Sequence, residues 1–146
     1  MVAEFGLERF VAAQDQGGSY DQALTELRQG RKTSHWMWFV FPQIAGLGRS
    51  SMARRYAIVS LAEARAYLAH PVLGGRLRAC AATLLELDVP SAEHVFGGID
   101  AAKLASSMTL FELAAPDEML FGTVLDRCCG GRRDAATQQI VRGEGG

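Results

Sequence analysis

The chain has 146 residues, 49% of them hydrophobic and 21% charged, with a formal net charge of −1. That composition belongs to one globular domain large enough to bury its own core, and the neutral balance argues against a DNA-coating protein or a polybasic membrane surface. The longest apolar run, Trp36 to Pro42, is far shorter than the roughly 18 residues of a membrane span. Glu4, Glu8 and Arg9 do not make a signal peptide. The cysteines Cys80, Cys128 and Cys129, odd in number and two of them adjacent, do not make a disulfide framework, so a reducing cytoplasm is expected.

In chain order the apolar period is helical almost throughout. Leu7, Phe10 and Val11 share one face of a first helix, and Tyr20 to Gln29 reads as a second, stopped by Gly30. His35 to Phe41 holds aromatics and a valine that also suit a strand; the reading adopted is a short buried helix, capped by Thr33 or Ser34 and ended before Pro42. Ser50 or Ser51 can start another. Ser60 and Glu63 form a capping box for a helix to about His70. Pro71 suits the first turn of the next, whose stripe of Leu73, Leu77, Cys80, Ala81, Leu84 and Leu85 is the clearest core signal in the chain.

Pro90-Ser91 opens a short helix ended by Gly97-Gly98, and Asp100 caps a helix through Ala115 that turns Leu104, Met108 and Phe111 inward. Pro116-Asp117 begins a helix burying Leu120, Val124, Leu125 and Cys128, closed by Gly130-Gly131. Asp134 caps a last one to about Val141. No stretch alternates strictly between hairpin turns. The expected fold is all-α: a compact single-domain bundle of about seven or eight short to medium helices over residues 1–141, then a flexible tail, 142–146.

The least ordinary stretch is Gly30 to Ser51. It contains both tryptophans, Trp36 and Trp38, between Arg31, Lys32 and His35 on one side and Gly46, Gly48, Arg49, Ser50 and Ser51 on the other. Aromatic surface bracketed by cations and hydroxyls suits a flat anionic ligand. It is also what a core segment with solvated ends looks like. No acid occurs between Glu26 and Glu63, a 36-residue gap containing Arg28, Arg31, Lys32, Arg49, Arg54 and Arg55. Those cations must meet acids from elsewhere, such as Glu4, Glu8 or Asp100, or an anion from outside. Gly46-Leu-Gly-Arg-Ser-Ser51 resembles a phosphate-cradling loop but lacks the Lys-Ser/Thr ending of a P-loop.

No motif names a reaction. His35, at a helix start, and Lys103, one turn before Ser107, are the candidates for proton transfer or nucleophile activation. Serines and threonines in such a helix ordinarily bond back to its carbonyls. The histidines His35, His70 and His94 lack metal-ligand spacing, and neither a metal nor a cofactor is implied. Cys128 and Cys129, at a helix C-terminus whose dipole disfavours thiolates, read as one core and one boundary residue.

Several blocks also resemble a known family: Gly30-x-Lys32-x-Ser34-His-Trp-Met-Trp-Phe-x-Phe-Pro-Gln43, Gly46-Leu-Gly-x-Ser50, Tyr56-Ala-Ile58, Glu63-Ala, Tyr67-Leu, His70-Pro-x-Leu-Gly74, Arg76-Leu77 and Asp100-x-x-Lys103-Leu-x-Ser-Ser-Met-Thr-Leu-Phe111. They are similar to an uncharacterised bacterial family, a mainly helical domain of unknown function often mislabelled as calpastatin, over about residues 5 to 141. The resemblance implies a compact helical domain and no particular reaction or cofactor; nothing here suits an extended protease inhibitor.

Two functions are therefore expected in turn. The first is a soluble protein with a basic, tryptophan-lined cleft for a phosphate-bearing small molecule, a nucleotide or ADP-ribose-like compound. Arg31, Lys32 and Arg49 would hold the anion, Gly48, Ser50 and Ser51 would supply loop donors, Trp36 or Trp38 would stack on a base, and Gln43 would read a polar edge. The second is a non-enzymatic interaction module whose basic face meets an acidic protein or RNA partner.

Overall fold

A computed structural model of the chain describes residues 5–88 and 91–145, the last two without their side chains. Among these residues there are nine α-helices and no strand. They are α1 (Glu8–Asp15), α2 (Ser19–Gln29), α3 (Met37–Val40), α4 (Ser51–Arg55), α5 (Leu61–Ala69), α6 (Leu73–Leu85), α7 (Ala92–Ala114), α8 (Met119–Cys128) and α9 (Ala135–Gly145). The fold is all-α, as the apolar period predicts. Only Ile44 and Ile58 pair as an isolated parallel bridge, the Ala45 and Ile58 amides donating to the Ile58 and Gln43 carbonyls at 2.8 and 2.9 Å. No helix among the described residues is long and apolar enough to cross a membrane.

The helix ends show where local chemistry decided the boundary and where packing did. Gly30 closes α2 in the left-handed conformation, its amide returning to the Glu26 and Leu27 carbonyls. The Ser50 hydroxyl accepts from the Ala53 amide (3.1 Å) at the start of α4. Ser60 likewise accepts from the Glu63 amide (3.1 Å), but the capping box is only half formed. The Glu63 carboxylate takes the Val59 amide (2.8 Å) and Arg9 (3.1 Å) instead.

Pro71 does not open α6. It sits in a turn with Val72, and Nδ1 of His70 accepts from the Val72 and Leu73 amides at 3.1 and 3.3 Å, so a histidine caps this helix. Pro116-Asp117 likewise precedes α8 by a turn, the helix starting at Met119. Pro90, expected to open α7, lies outside the described residues; Ser91 makes the cap there. The two helices expected around Gly97 run on as α7 with a break at that residue (φ 80, ψ 168), a conformation reserved in practice for glycine. Asp100 consequently lies inside the helix and caps nothing. Asp134 does cap α9, accepting the Thr137 amide at 3.0 Å. That helix continues to Gly145, past the expected end at Val141, and Gly146 of the expected tail lies outside the described residues.

α7 is the central element, packed on α8, α5 and α9, while α6 lies against α8, α5 and α2. The core stripe of α6 turns inward as its spacing predicts, with Leu73, Leu77, Cys80, Ala81 and Leu84 buried and Leu85 at the margin. It meets Leu104, Met108 and Phe111 of α7 and Val124 and Leu125 of α8 in one cluster. A file of rings threads the interior from α1 to α8: Phe10 to Tyr67 (5.1 Å between centroids), Tyr67 to Phe111 (5.4 Å) and Phe111 to Phe121 (5.8 Å).

Candidate functional site

The first half of the unusual stretch is turned inward. Glu26, on the buried face of α2, accepts from the Trp36 indole N–H (2.9 Å), the Thr33 and Ser34 amides (2.8 and 3.0 Å), the Ser34 hydroxyl and the Gln22 amide group (2.8 Å). Burial of this carboxyl opposes its ionisation, but the donors outweigh that cost and hold its pKa well below the usual carboxylate range. Thr33 and Ser34 therefore serve Glu26 instead of capping α3, which shrinks to the single turn Met37–Val40. Trp36 is 1% exposed and cannot stack on a ligand from solvent.

Lys32 is buried as well. Its ammonium is 2.8 Å from Asp100 of α7, donates to the Ser34 carbonyl (2.6 Å) and lies over the Trp36 ring (5.1 Å). Lys103 reaches the same Asp100 more loosely, at 3.6 Å, and covers the half-buried Trp38 ring at 5.1 Å. Lys32, Lys103 and both tryptophans thus join two segments of the fold about Asp100. None of the four lines the pockets described below. Arg31 and His35 are exposed at the edge of this region.

Lys103 shares a face of α7 with Ser107, whose buried hydroxyl has no hydrogen-bond partner among the described residues. Ser106 and Thr109 bond back to the Ala102 and Ala105 carbonyls (3.2 and 2.7 Å). Ser107 is fully buried, out of reach of a substrate arriving from solvent.

The second half of the stretch is turned outward. Gln43, Gly46, Gly48 and Arg54 line a pocket of about 220 Å³ whose remaining wall is Ile44, Ala45, Ala53, Ala57 and Val59, with no acid among them. Gly46 holds φ 103, and a Cβ on Gly48 would lie 2.4 Å from that of Ala53, so this loop closes against α4 only with glycine there. Arg49 and Ser50 follow on the same loop and Ser51 opens α4, all exposed, with Ser50 engaged as the α4 cap. The back of the pocket is tied to α1 by Arg9, which donates to the carbonyls of Arg55 (2.8 Å) and Ala57 (2.7 Å), as well as to Glu63.

Of the cations in the acid-free gap, only Lys32 has an acidic partner among the described residues; Arg28, Arg31, Arg49, Arg54 and Arg55 are exposed. Glu8, one of the acids expected to fold against them, is taken by His70 (3.1 Å), and Glu4 lies outside the described residues.

Sequence reasoning missed two features. One is the part played by Glu26, although it is the last acid before the gap and sits four residues beyond Gln22 on the same helix face. The other is a larger cleft, about 610 Å³, among α7, α8 and α9. Its residues come from three separate stretches, 91–105, 127–130 and 132–135, which no single motif joins.

A family model described as "Protein of unknown function (DUF1810)" matches residues 4–141. The crystal structure of the conserved hypothetical protein Rv1873 from Mycobacterium tuberculosis is 46% identical, covering 96% of this chain and 99% of that one, with a TM-score of 0.91. No curated protein matches. The family match spans nearly the whole domain and agrees with the helical architecture: the chain belongs to the DUF1810 family.

Proposed function

We propose that the protein binds a phosphate-bearing small molecule at the pocket formed by Gln43, Gly46, Gly48 and Arg54, with Arg49 at its rim. The observation that carries this reading is a concave site whose lining contains a guanidinium, an amide side chain and two glycines but no acid. Arg49 and Arg54 have no ion-pair partner among the described residues, so an incoming anion would displace no internal bridge. At about 220 Å³ the pocket is smaller than the roughly 300–1,000 Å³ of drug-sized sites. It suits a phosphate group or the phosphorylated end of a larger molecule, the rest lying on the surface. A nucleotide or ADP-ribose-like compound would seat only its phosphate there.

The test is thermal melting with inorganic phosphate. At a hundredfold excess over the dissociation constant it should stabilise the protein by about 2.7 kcal/mol, and Arg49→Ala with Arg54→Ala should abolish that response. A wild-type protein blind to phosphate overturns the reading.

The exposed Arg28, Arg31 and Arg55 outside the pocket favour a second reading, an interaction module for an acidic protein or RNA. Binding of an oligoribonucleotide that falls with salt and survives Arg54→Ala would point there.

A further inference from the structure

A larger cleft, of about 610 Å³, is lined by none of the residues of that loop. It lies where the first half of α7, the end of α8 and the start of α9 fail to meet. The gap stays open because the facing side chains are small: Ala101, Ala102 and Ala105 on α7 and Ala135 at the start of α9. Its far wall is the turn after α8, which is fixed from behind. Arg133 donates to both carboxylate oxygens of Glu112 (2.9 and 2.6 Å), to Asp126 (2.7 Å) and to the Gly131 carbonyl (3.0 Å). The Cys129 and Gly131 amides close the helix onto the Leu125 carbonyl at 3.0 and 2.9 Å.

This clamp distinguishes three neighbouring arginines. All three line the cleft, but Arg133 is paired with Glu112 and Asp126, whereas Arg127 and Arg132 are exposed and have no acidic partner among the described residues. Two acids also line the cleft. Asp134 spends one carboxylate oxygen on the Thr137 amide and hydroxyl (3.0 and 2.7 Å), and Glu93 is exposed at the rim. Two unpaired guanidinia beside an alanine floor in a preformed space make an amphipathic arrangement.

We infer that this cleft is a second binding site, for a small organic anion: an apolar ring or chain carrying a carboxylate, sulfonate or phosphate. The apolar body lies on the alanines of α7, and the charged end is held by Arg127 and Arg132. The volume, about 610 Å³, falls within the range of sites that enclose a drug-sized molecule, which the Gln43–Arg54 pocket does not. Cys128 and Cys129, which also line it, contribute neutral polarizable surface, since burial pushes both thiols up, Cys129 to about 11.

The probe is 8-anilinonaphthalene-1-sulfonate, an aromatic body with one sulfonate, titrated against the native protein by fluorescence. The inference predicts one-to-one binding with blue-shifted emission. Arg127→Ala and Arg132→Ala should each weaken it about tenfold, the loss expected for one charge-assisted hydrogen bond. Ala102→Phe, at an exposed position where the larger ring does not disturb the core, should block it, while Arg54→Ala should leave it unchanged. Absence of a one-to-one complex, or equal affinity in Ala102→Phe and both arginine variants, would overturn the assignment.

Discussion

The two halves of the Gly30–Arg55 stretch carry similar residues to opposite ends. Most of residues 32–41 face the core: Lys32 reaches across the fold to Asp100, and Trp36 and Ser34 converge on Glu26, with Thr33 and His35 left at the exposed edge. Residues 43–55 mostly face solvent, and Arg49, Arg54 and Arg55 have no acid beside them among the described residues. A buried cation without a counter-charge costs several kcal/mol, whereas an exposed one is hydrated at little cost. An acid-poor stretch therefore says nothing about a binding site until burial is known. The outward half, where folding imposes no pairing, leaves its cations available to a ligand, as does Arg31 at the exposed edge of the inward half.

The largest effect that would break this contrast is at Glu26. Glu26→Gln removes the charge that three side chains and two backbone amides converge on, and should cost on the order of 3–5 kcal/mol in denaturant unfolding. Because the folded pKa of this carboxyl is depressed, its contribution is complete above the ordinary carboxylate range and is lost as pH falls below about 4 toward the folded value. Wild-type stability should thus drop in that acid window, and the Gln variant should lack that part of the slope. An unchanged midpoint at neutral pH would mean the inward half is not held by this carboxylate.

Lys32→Met should cost less, about 1–3 kcal/mol, because Asp100 is partly solvated and retains Lys103 at 3.6 Å. A double variant with Asp100→Asn should recover part of the loss, since neither charge is then left alone; simple additivity would show that the two do not interact. The smallest effect belongs to the outward half. In the absence of anions Arg49→Ala should change stability by no more than about 0.5 kcal/mol. A larger loss would mean that Arg49 has a structural partner and that the contrast between the halves is false.

Much of the architecture was legible because it rests on local rules. The α6 stripe, the glycine end of α2, the serine caps of α4 and α5 and the Asp134 cap of α9 each depend on residues within a turn or two of each other. What was not legible depends on residues distant in sequence. Asp100 suits an N-cap by type, yet Lys32 claims it from 68 positions away, and Thr33 and Ser34 were drawn from their expected cap by Glu26. The boundary at Pro71 slipped because a histidine ring, which no capping rule anticipates, supplied the acceptor. Of the residues the sequence marks for a site, Gln43 and Gly48 line a pocket, since glycines in a loop report on surface geometry. Trp36 was misplaced for the opposite reason: an indole is equally at home in a core, and its orientation is set by the acid its N–H finds.

Arg9 gives the outward pocket an unexpected dependence. The carbonyls of Arg55 and Ala57 at its back are held by one guanidinium that belongs to the first helix of the chain, and Arg9 itself is braced by Glu63 and by the carbonyls of Phe5 and Gly6. When the opening turn of α1 frays, those bonds are released together and the loop loses its brace. A ligand that needs the loop in place must then also favour the wound state of that turn, by the reciprocity that governs any two linked equilibria. Amide hydrogen exchange in the first helix would slow as the pocket fills, although that helix contributes no lining residue to it.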